Sequence, residues 1–328
     1  MVLFLVNRAI RAVAECGLFR KRKLPRPTVS FGNLSFGGTG KTPHVIFLAQ
    51  RLVEKGLKVA VLTRGYRRKG KGLVVCASGD NDCSPELVGD EPYLIKTRVP
   101  EVTLGVCSDR ESAAKEILER VEVDVFILDD GFQQFFLEKD VDVVLVPQPD
   151  LPFLGTLRRR MSLREDVVSI SRADYVIITK WQERSGLSEV GDRLKSLGYE
   201  REWGISTYVP RSIVDNRGGE RPLEGGDPVF IFGGIAGFGS FRALVERTGM
   251  KVAGEKVFPD HVEYDEKSLE EIRKTAGNLR LLTTEKDLVK LPYERFGLVE
   301  AIRVEVEFLK GEDFFLDMVD EILSGGGV

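Results

Sequence analysis

Three features of the sequence predict the fold class: a mainly parallel α/β sheet of P-loop NTPase-like type with helices on both faces, followed by a smaller second α/β domain. The first feature is a strand, a glycine-rich turn and a helix in succession between residues 28 and 55. The second is the alternation of strand-like apolar runs with helical periodicity from there to residue 179. The third is an apolar run at residues 123–128 that ends in the paired acids Asp129 and Asp130.

The first feature carries the chemistry. Thr28-Val29-Ser30-Phe31 reads as a short buried strand, and from His44 onward apolar residues fall at helical spacing. Between them lie Ser35, Phe36, Gly37, Gly38, Thr39, Gly40, Lys41 and Thr42. Glycines let backbone N–H groups converge on an anion, and the helix N-terminus adds its positive end. Lys41 is placed to reach the outer phosphates of a nucleotide, and Thr42 to offer its hydroxyl to Mg2+. A strict P-loop has glycine five residues before Gly40, where this chain has Ser35, so the loop is of the Gly-Gly-Thr-Gly-Lys-Thr variety. The competing reading, a glycine-rich turn with a chance Gly-Lys-Thr, does not explain the flanking strand and helix. His44 is expected to be a surface or capping residue.

The third feature supplies a partner for that loop. A strand that delivers Asp at its C-terminal end commonly holds Mg2+, directly or through water. Two adjacent carboxylates repel and need a cation or strong donors nearby. Thr179-Lys180-Trp181-Gln182 lacks the Asn-Lys-x-Asp pattern that reads guanine, so ATP is favoured over GTP.

Composition sets the outer bounds. The 328 residues suffice for two domains, and a net charge of −3 gives no footprint for nucleic acid. Cys16, Cys76, Cys83 and Cys107 show no metal-ligand spacing and are expected to be reduced thiols. No run approaches the ~20 apolar residues that cross a bilayer.

The N-terminus is amphipathic. On a helical wheel Val2, Leu3, Val6, Ile10, Val13 and Ala14 share one face, with Arg8, Arg11 and Glu15 opposite, and Arg20-Lys21-Arg22-Lys23 follows. Such a stripe joined to a basic cluster suits a helix lying in an anionic membrane surface. It suits equally a helix docked on the protein's own core. Next come a strand at 58–64 and a basic loop at 65–72, at the strand end where ligands sit in such sheets. Gly89-Asp90-Glu91-Pro92-Tyr93 opens a helix with Asp90 at the cap position, which leaves Glu91 beside it unexplained. Strands follow at 102–106, 141–146 and 173–179, with a helix beginning at 108–111 and a basic Leu157-Arg158-Arg159-Arg160 between the last two strands. Proline and glycine concentrate at 207–228, which reads as a linker. The domain boundaries are therefore 1–24 for the amphipathic helix, 25–206 for the P-loop domain, 207–228 for the linker and 229–328 for the second α/β domain. The last helix, at 314–323, is free to pack back on the first domain. His261, in Phe258-Pro259-Asp260-His261, stands at the entrance to an interdomain cleft; a lone histidine is more often structural than catalytic.

Together these strings resemble the tetraacyldisaccharide 4′-kinase family. Those that carry the resemblance are Gly32-Asn-Leu-Ser-Phe-Gly-Gly-Thr-Gly-Lys-Thr-Pro43, Leu62-Thr-Arg-Gly-Tyr66, Gly89-Asp-Glu-Pro-Tyr93, Asp109-Arg110, Ile127-Leu-Asp-Asp-Gly-Phe-Gln133, Phe258-Pro-Asp-His261 and Leu282-Thr-Thr-Glu-Lys-Asp287. The resemblance implies transfer of the ATP γ-phosphate to the 4′-hydroxyl of a tetraacyl glucosamine disaccharide 1-phosphate, giving lipid IVA in lipid A biosynthesis. It also implies a peripheral place on the cytoplasmic face of the inner membrane, held there by the N-terminal helix, with ATP and Mg2+ as cofactors. The sequence leaves the oligomeric state open, with a monomer expected. By the same resemblance, Lys41 and the loop amides hold phosphates, while Thr42, Glu91 and Asp129 hold the metal. Asp90 takes the sugar hydroxyl proton with His261 paired to it, and Asp130, Arg110 and Tyr66 are further site residues. Two departures stand out: Gln134 where the family commonly has His, and Arg164-Glu165-Asp166 where it has Arg-Glu-Pro. The rival readings are a membrane-associated P-loop ATPase switch, which would put lysine at position 36 where Phe36 stands, and a kinase of a different glycolipid.

Overall fold

The computed structural model describes residues 2–16, 20–66, 68–80, 82–153, 163–182 and 186–325, with only the backbone of Val2, Leu3, Pro152 and Phe153. Arg67 of the basic loop, Gly155, the Leu157-Arg158-Arg159-Arg160 string and the glycine-rich end at 326–328 lie outside the described residues.

Among the described residues thirteen strands form one sheet: β1 (Thr28–Asn33), β2 (Val59–Thr63), β3 (Val74–Cys76), β4 (Thr103–Val106), β5 (Val125–Asp129), β6 (Val141–Pro147), β7 (Tyr175–Thr179), β8 (Trp203–Asp215), β9 (Glu220–Pro222), β10 (Pro228–Gly233), β11 (Lys251–Val257), β12 (Arg280–Thr284) and β13 (Glu300–Lys310). Their order is β11-β10-β12-β13-β8-β7-β6-β1-β5-β2-β4-β3, with β9 beside β8. Within each half the neighbours run parallel, except the short strands β3 and β9. The halves meet in the antiparallel pair β8–β13.

The helices of the first lobe are α1 (Val2–Glu15), α2 (Lys41–Glu54), α3 (Pro85–Val88), α4 (Asp90–Arg98), α5 (Arg110–Leu118) and α6 (Leu187–Ser196). Those that follow are α7 (Phe238–Arg247), α8 (Glu266–Ala276), α9 (Glu285–Leu288), α10 (Tyr293–Phe296) and α11 (Glu312–Leu323). Strands β1, β2, β5, β6 and β7 are buried along their whole length, as strands covered on both faces must be. Apolar clusters fill both faces of each lobe. Helix α11 returns to the first lobe, where Phe315 and Val319 pack with Phe31 and Val45.

Register explains why a cleft forms. Strand β7 pairs with β8 up to Ile178–Ile205, and β12 pairs with β13 up to Thr284–Ile302, which lies opposite Ile213 of β8. Each lobe thus hangs on one end of the β8–β13 ribbon with the C-terminal ends of its strands pointing to the ribbon's middle. The two ligand-binding edges face each other across residues 206–212 and 303–308. The stretch that reads as a linker in sequence is largely this ribbon. Its Pro210 sits beside a register shift, where Ser212 pairs with Arg303 and Pro210 with Val304, so the missing N–H falls at a bulge.

Two local expectations are corrected. Cys76 and Cys83 are joined in a disulfide, Cα–Cα 5.9 Å, because the turn after β3, closed by Asp80 on the Ala77 N–H, brings the chain back on itself; Cys16 and Cys107 are free. His44 is fully buried, not a surface residue. One of its ring nitrogens bonds Gly40 O at 2.8 Å and the other Ser206 Oγ at 2.9 Å, so it ties α2 to the ribbon.

Helix α1 docks through one face and leaves another bare. Asn7 and Ala14 are buried, Asn7 Nδ2 donates to Arg164 O at 3.0 Å, and Arg11 Nη1 donates to Ser169 Oγ at 2.6 Å. Leu5, Val6, Ile10 and Val13 remain exposed; Ala14, which shares the stripe of the last three on the wheel, lies on the docked side.

Candidate active site

The cleft between the lobes encloses about 940 Å³. Its floor is the phosphate-binding loop. Gly40 precedes α2 with φ +95°, and a Cβ there would stand 1.8 Å from Tyr208 Oη, so both conformation and space require glycine. The loop is braced from beneath: Asn33 Nδ2 donates to Thr39 Oγ1 at 2.8 Å, Thr179 Oγ1 donates to Thr39 O at 2.9 Å, and Lys180 Nζ donates to Gly38 O. Phe36 is exposed with the Arg164 guanidinium 5.2 Å from its ring centre, and Ser35 is buried with its hydroxyl 3.3 Å from Asp150.

Strand β5 delivers its two acids to opposite fates. Asp130 is 3.3 Å from Lys41 Nζ and accepts two bonds from Arg164 Nη1, at 2.7 and 2.8 Å. Burial would raise its pKa, but Lys41 and Arg164 outweigh burial and hold it at about 2. Asp129 is pushed up to about 6 by burial first and by the neighbouring Glu91 carboxylate, with Lys41 opposing. Its Oδ2 accepts from Thr63, and its Oδ1 is buried with no partner among the described residues. An unpaired buried carboxylate oxygen beside a second carboxylate is costly, and a cation removes the cost. Asp129, Glu91 and the Thr42 hydroxyl all line the cleft. Two carboxylates with a hydroxyl and substrate phosphates suit a hard, mostly hydrated divalent ion such as Mg2+, which does not use an all-protein cage. Among the described residues no group of three or more His, Cys, Asp and Glu side chains forms such a cage.

The second lobe closes the site. His261 Nδ1 is 3.7 Å from Asp90 Oδ2, and its Nε2 is 3.3 Å from Lys286 Nζ. The edge of Tyr66 meets the imidazole, ring centres 5.8 Å apart. Lys286 also pairs with Glu91 at 3.2 Å, Lys290 lies 3.8 Å from Asp90, and Arg98 of α4 pairs with the nearly buried Glu285 at 2.8 Å. Burial raises the Asp90 pKa, but His261, Lys290 and Lys286 bring it below the ordinary carboxylate value. Asp90 is the first residue of α4, after Gly89 at the cap, and makes no capping bond; its carboxylate is turned to the cleft. Among the described residues, the non-glycine residues with positive φ are Asp130, Lys180 and His261, and all three line this cleft.

The structure therefore brings together Lys41, Thr42, Tyr66, Asp90, Glu91, Asp129, Asp130 and His261. It does not place Arg110 or Ser35 at the cavity wall. Arg110 lies behind β5, donating to Cys107 O and reaching Asp129 O at 3.5 Å. Sequence reasoning gave no role to Lys286, Lys290, Lys180, Arg98 or Arg164. The strings Thr-Thr-Glu-Lys-Asp and Arg164-Glu165 drew notice as strings, but nothing local says that their cations cross to the other lobe or grip Asp130.

A parallel sheet with a phosphate-binding loop, an acid pair at the next strand and a carboxylate oriented by a second lobe defines a P-loop phosphotransferase. A family model described as tetraacyldisaccharide-1-P 4′-kinase matches residues 1–324. The tetraacyldisaccharide 4′-kinase of Aquifex aeolicus (strain VF5) is 36% identical over 297 residues, 89% of this chain and 88% of that one. That of Syntrophus aciditrophicus (strain SB) is 36% identical over 328 residues, covering 94% and 87%. A crystal structure of LpxK from Aquifex aeolicus in complex with ATP matches at TM-score 0.79 and 29% identity, over 98% of this chain and 96% of that one. The chain belongs to the tetraacyldisaccharide 4′-kinase family, and its activity is phosphoryl transfer from ATP to a tetraacyldisaccharide in lipid A biosynthesis.

Proposed function

We propose that the chain works on the membrane surface, phosphorylating the 4′-hydroxyl of a tetraacyl glucosamine disaccharide 1-phosphate with Asp90 as general base. The observation that carries the mechanism is the approach of His261 to Asp90 inside the cleft whose floor holds Lys41. Phosphoryl transfer needs little covalent help from the protein; it needs alignment and neutralised charge. The loop amides and Lys41 grip the nucleotide phosphates, and Asp130 holds Lys41 in place while Arg164 holds Asp130. Asp90, kept ionised by its cationic neighbours, accepts the hydroxyl proton, and His261 orients it and shares the resulting charge. Thr42, Asp129 and Glu91 would hold Mg2+, which supplies charge neutralisation on the phosphate oxygens when bound. Both lobes of one chain complete the site, so a monomer suffices.

The exposed Leu5, Val6, Ile10 and Val13 support attachment through α1, as a peripheral protein of the cytoplasmic face of the inner membrane. Among the described residues no helix is long and apolar enough to cross a bilayer. Incubation with ATP, Mg2+ and the acylated disaccharide 1-phosphate tests the reading. Product phosphorylated at the 4′ position is expected; ATP hydrolysis with no phosphorylated lipid would favour an ATPase switch instead.

A further inference from the structure

His261 is gripped twice by the short helix α9, once through its backbone turn and once through its ring. The turn, with φ +61° at His261, is closed by bonds from His261 N to Gly234 O and from Val262 N to Pro259 O, each 3.1 Å. Gly234 N in turn donates to Asp287 Oδ2 at 3.0 Å, and Thr284 Oγ1 donates to the same oxygen at 2.9 Å. The residue before Asp287 is Lys286, and its Nζ lies 3.3 Å from His261 Nε2. One residue earlier, Glu285 pairs with Arg98 at 2.8 Å and with Arg303 at 3.4 Å, which fixes α9 against both the first lobe and the ribbon. Lys286 is therefore presented to the imidazole from a braced support.

The surroundings of Lys286 decide where the His261 proton lies. Its Nζ faces Glu91 Oε1 at 3.2 Å, His261 Nε2 at 3.3 Å and Asp260 Oδ1 at 3.4 Å. Two carboxylates so close keep the amine an ammonium, which has three N–H donors and no lone pair. A ring nitrogen that meets an ammonium can only accept, so Nε2 carries the lone pair. The proton of the ring then sits on Nδ1, the nitrogen 3.7 Å from Asp90 Oδ2. The competing arrangement has Nε2–H donating to Asp260 Oδ2, but that oxygen is 3.9 Å away, out of hydrogen-bond range and farther than the ammonium. Free histidine favours the opposite tautomer, protonated on Nε2. The Nδ1–H form has to be imposed, and the bond made by the other nitrogen is what imposes it.

We infer that Lys286 is the positioning residue that fixes the His261 tautomer, aiming Nδ1–H at Asp90 and leaving the other carboxylate oxygen free for the substrate hydroxyl. The inference deepens the Asp90–His261 reading given above and rests on it. With Nδ1 already protonated, the imidazole cannot receive the hydroxyl proton across Asp90. The proton passes from the acceptor oxygen to the Asp90 carboxylate and stays there, while His261 donates to the second oxygen and holds the carboxylate in line. An Nε2–H ring would instead turn a lone pair towards that carboxylate, and the two would repel. Lys290 does not replace Lys286 in this, because it pairs with Asp287 at 2.7 Å and lies 3.8 Å from Asp90 itself.

Nitrogen-15 spectra of the full chain with labelled histidine test this directly, since the sequence holds only two histidines and His261→Ala removes one set of signals. In the wild type, Nδ1 of His261 should show the shift of a protonated ring nitrogen and Nε2 that of an unprotonated one. Lys286→Met keeps the stem and removes the donor; it should move the proton to Nε2 and lower kcat at least ~10-fold with KM for ATP unchanged. Lys286→Gln still offers a neutral N–H, so it should retain the Nδ1–H form and recover most of that loss, which a role through charge alone would not allow. A wild-type ring protonated on Nε2, or on both nitrogens, overturns the inference even if neither variant folds. So does a Lys286→Met protein whose tautomer moves while kcat stays, or whose loss lies in KM for ATP, which assigns the ammonium to the nucleotide. Normal turnover in His261→Ala removes the Asp90–His261 reading and this inference with it. A slow His261→Ala protein beside an unaltered tautomer and rate in Lys286→Met removes only the part given to Lys286.

Discussion

His261 Nδ1 stands 3.7 Å from Asp90 Oδ2, although Asp90 opens α4 in the first lobe and His261 follows β11 in the second. The separation is slightly too long for a hydrogen bond, and such contacts tighten when substrate arrives. Asp90→Asn should lower kcat by about 10²–10⁴-fold, the span expected when a general base is removed. His261→Ala should lower it by a smaller factor, because the carboxylate survives without its orienting partner. ATP affinity, read with a fluorescent nucleotide, should change little in either, since neither residue belongs to the phosphate-binding loop. Near-normal turnover in Asp90→Asn would remove the base from the mechanism.

What was legible in the sequence follows from the range of the interactions. The loop at 35–42 and the acids at 129–130 could be read because each is one contiguous string with a strand or helix beside it. The cationic surroundings of Asp90 could not. Lys286, Lys290 and His261 reach it only because the β8–β13 ribbon folds two lobe edges towards each other, and that pairing joins residues about a hundred positions apart. The ribbon itself was hidden by composition, since Pro210 and the glycines that follow suggest a linker until the bulge that accommodates Pro210 is seen. Helix α1 was half legible. Its periodicity showed two faces, but that Asn7 and Ala14 dock while Leu5 stays bare depends on Arg164 and Ser169, far along the chain.

Buried His44 should make stability depend on acid. Burial, opposed by the bond to Gly40 O, lowers its pKa from 6.5 to about 4. The imidazole is therefore neutral in the fold, donating one N–H to Gly40 O and accepting from Ser206. Its folded pKa lies below the unfolded value, so the unfolded chain binds more protons between the two. The contribution is full above pH 6.5, declines as pH falls towards 4 and is absent below; the shift corresponds to about 3 kcal/mol. Urea denaturation across this window should show the slope in the wild type and lose this part of it in His44→Gln. Parallel curves for the two proteins would show that His44 is not the group titrating.

The acids at the loop predict a metal requirement that mutation can move. Asp129→Asn removes a buried carboxylate with a free oxygen and should raise the Mg2+ concentration for half-maximal rate by at least ~10-fold. Glu91→Gln should raise it less, because Glu91 is already engaged by Lys286 at 3.2 Å and a cation must compete for it or act through water. Binding of ATP without Mg2+ should be equal or tighter in Asp129→Asn, where one negative charge near the phosphates is gone. Unaltered Mg2+ dependence in both variants would move the metal elsewhere in the cleft.

The bare face of α1 gives the last prediction. Val6 and Ile10 are 44% and 38% exposed and lie apart from the docked side that holds Asn7 and Ala14. Replacing both by Glu should leave the fold within about 0.5 kcal/mol of the wild type, as for exposed positions without partners. At a membrane, the same pair of changes forfeits burial of two aliphatic side chains, about 3–6 kcal/mol together, or a partition coefficient lower by roughly 100-fold or more. Sedimentation with anionic vesicles should therefore fail while thermal unfolding is unchanged. The basic segment after the helix should contribute unequally. Arg22 and Lys23 are already paired with Glu111 and Asp140, so neutralising Arg20 and Lys21 should weaken binding more than neutralising those two. Salt should erase that difference but spare the apolar contribution, because screening acts on the charges alone. A Val6→Glu, Ile10→Glu protein that still sediments with vesicles in high salt would mean that another surface, not α1, meets the bilayer.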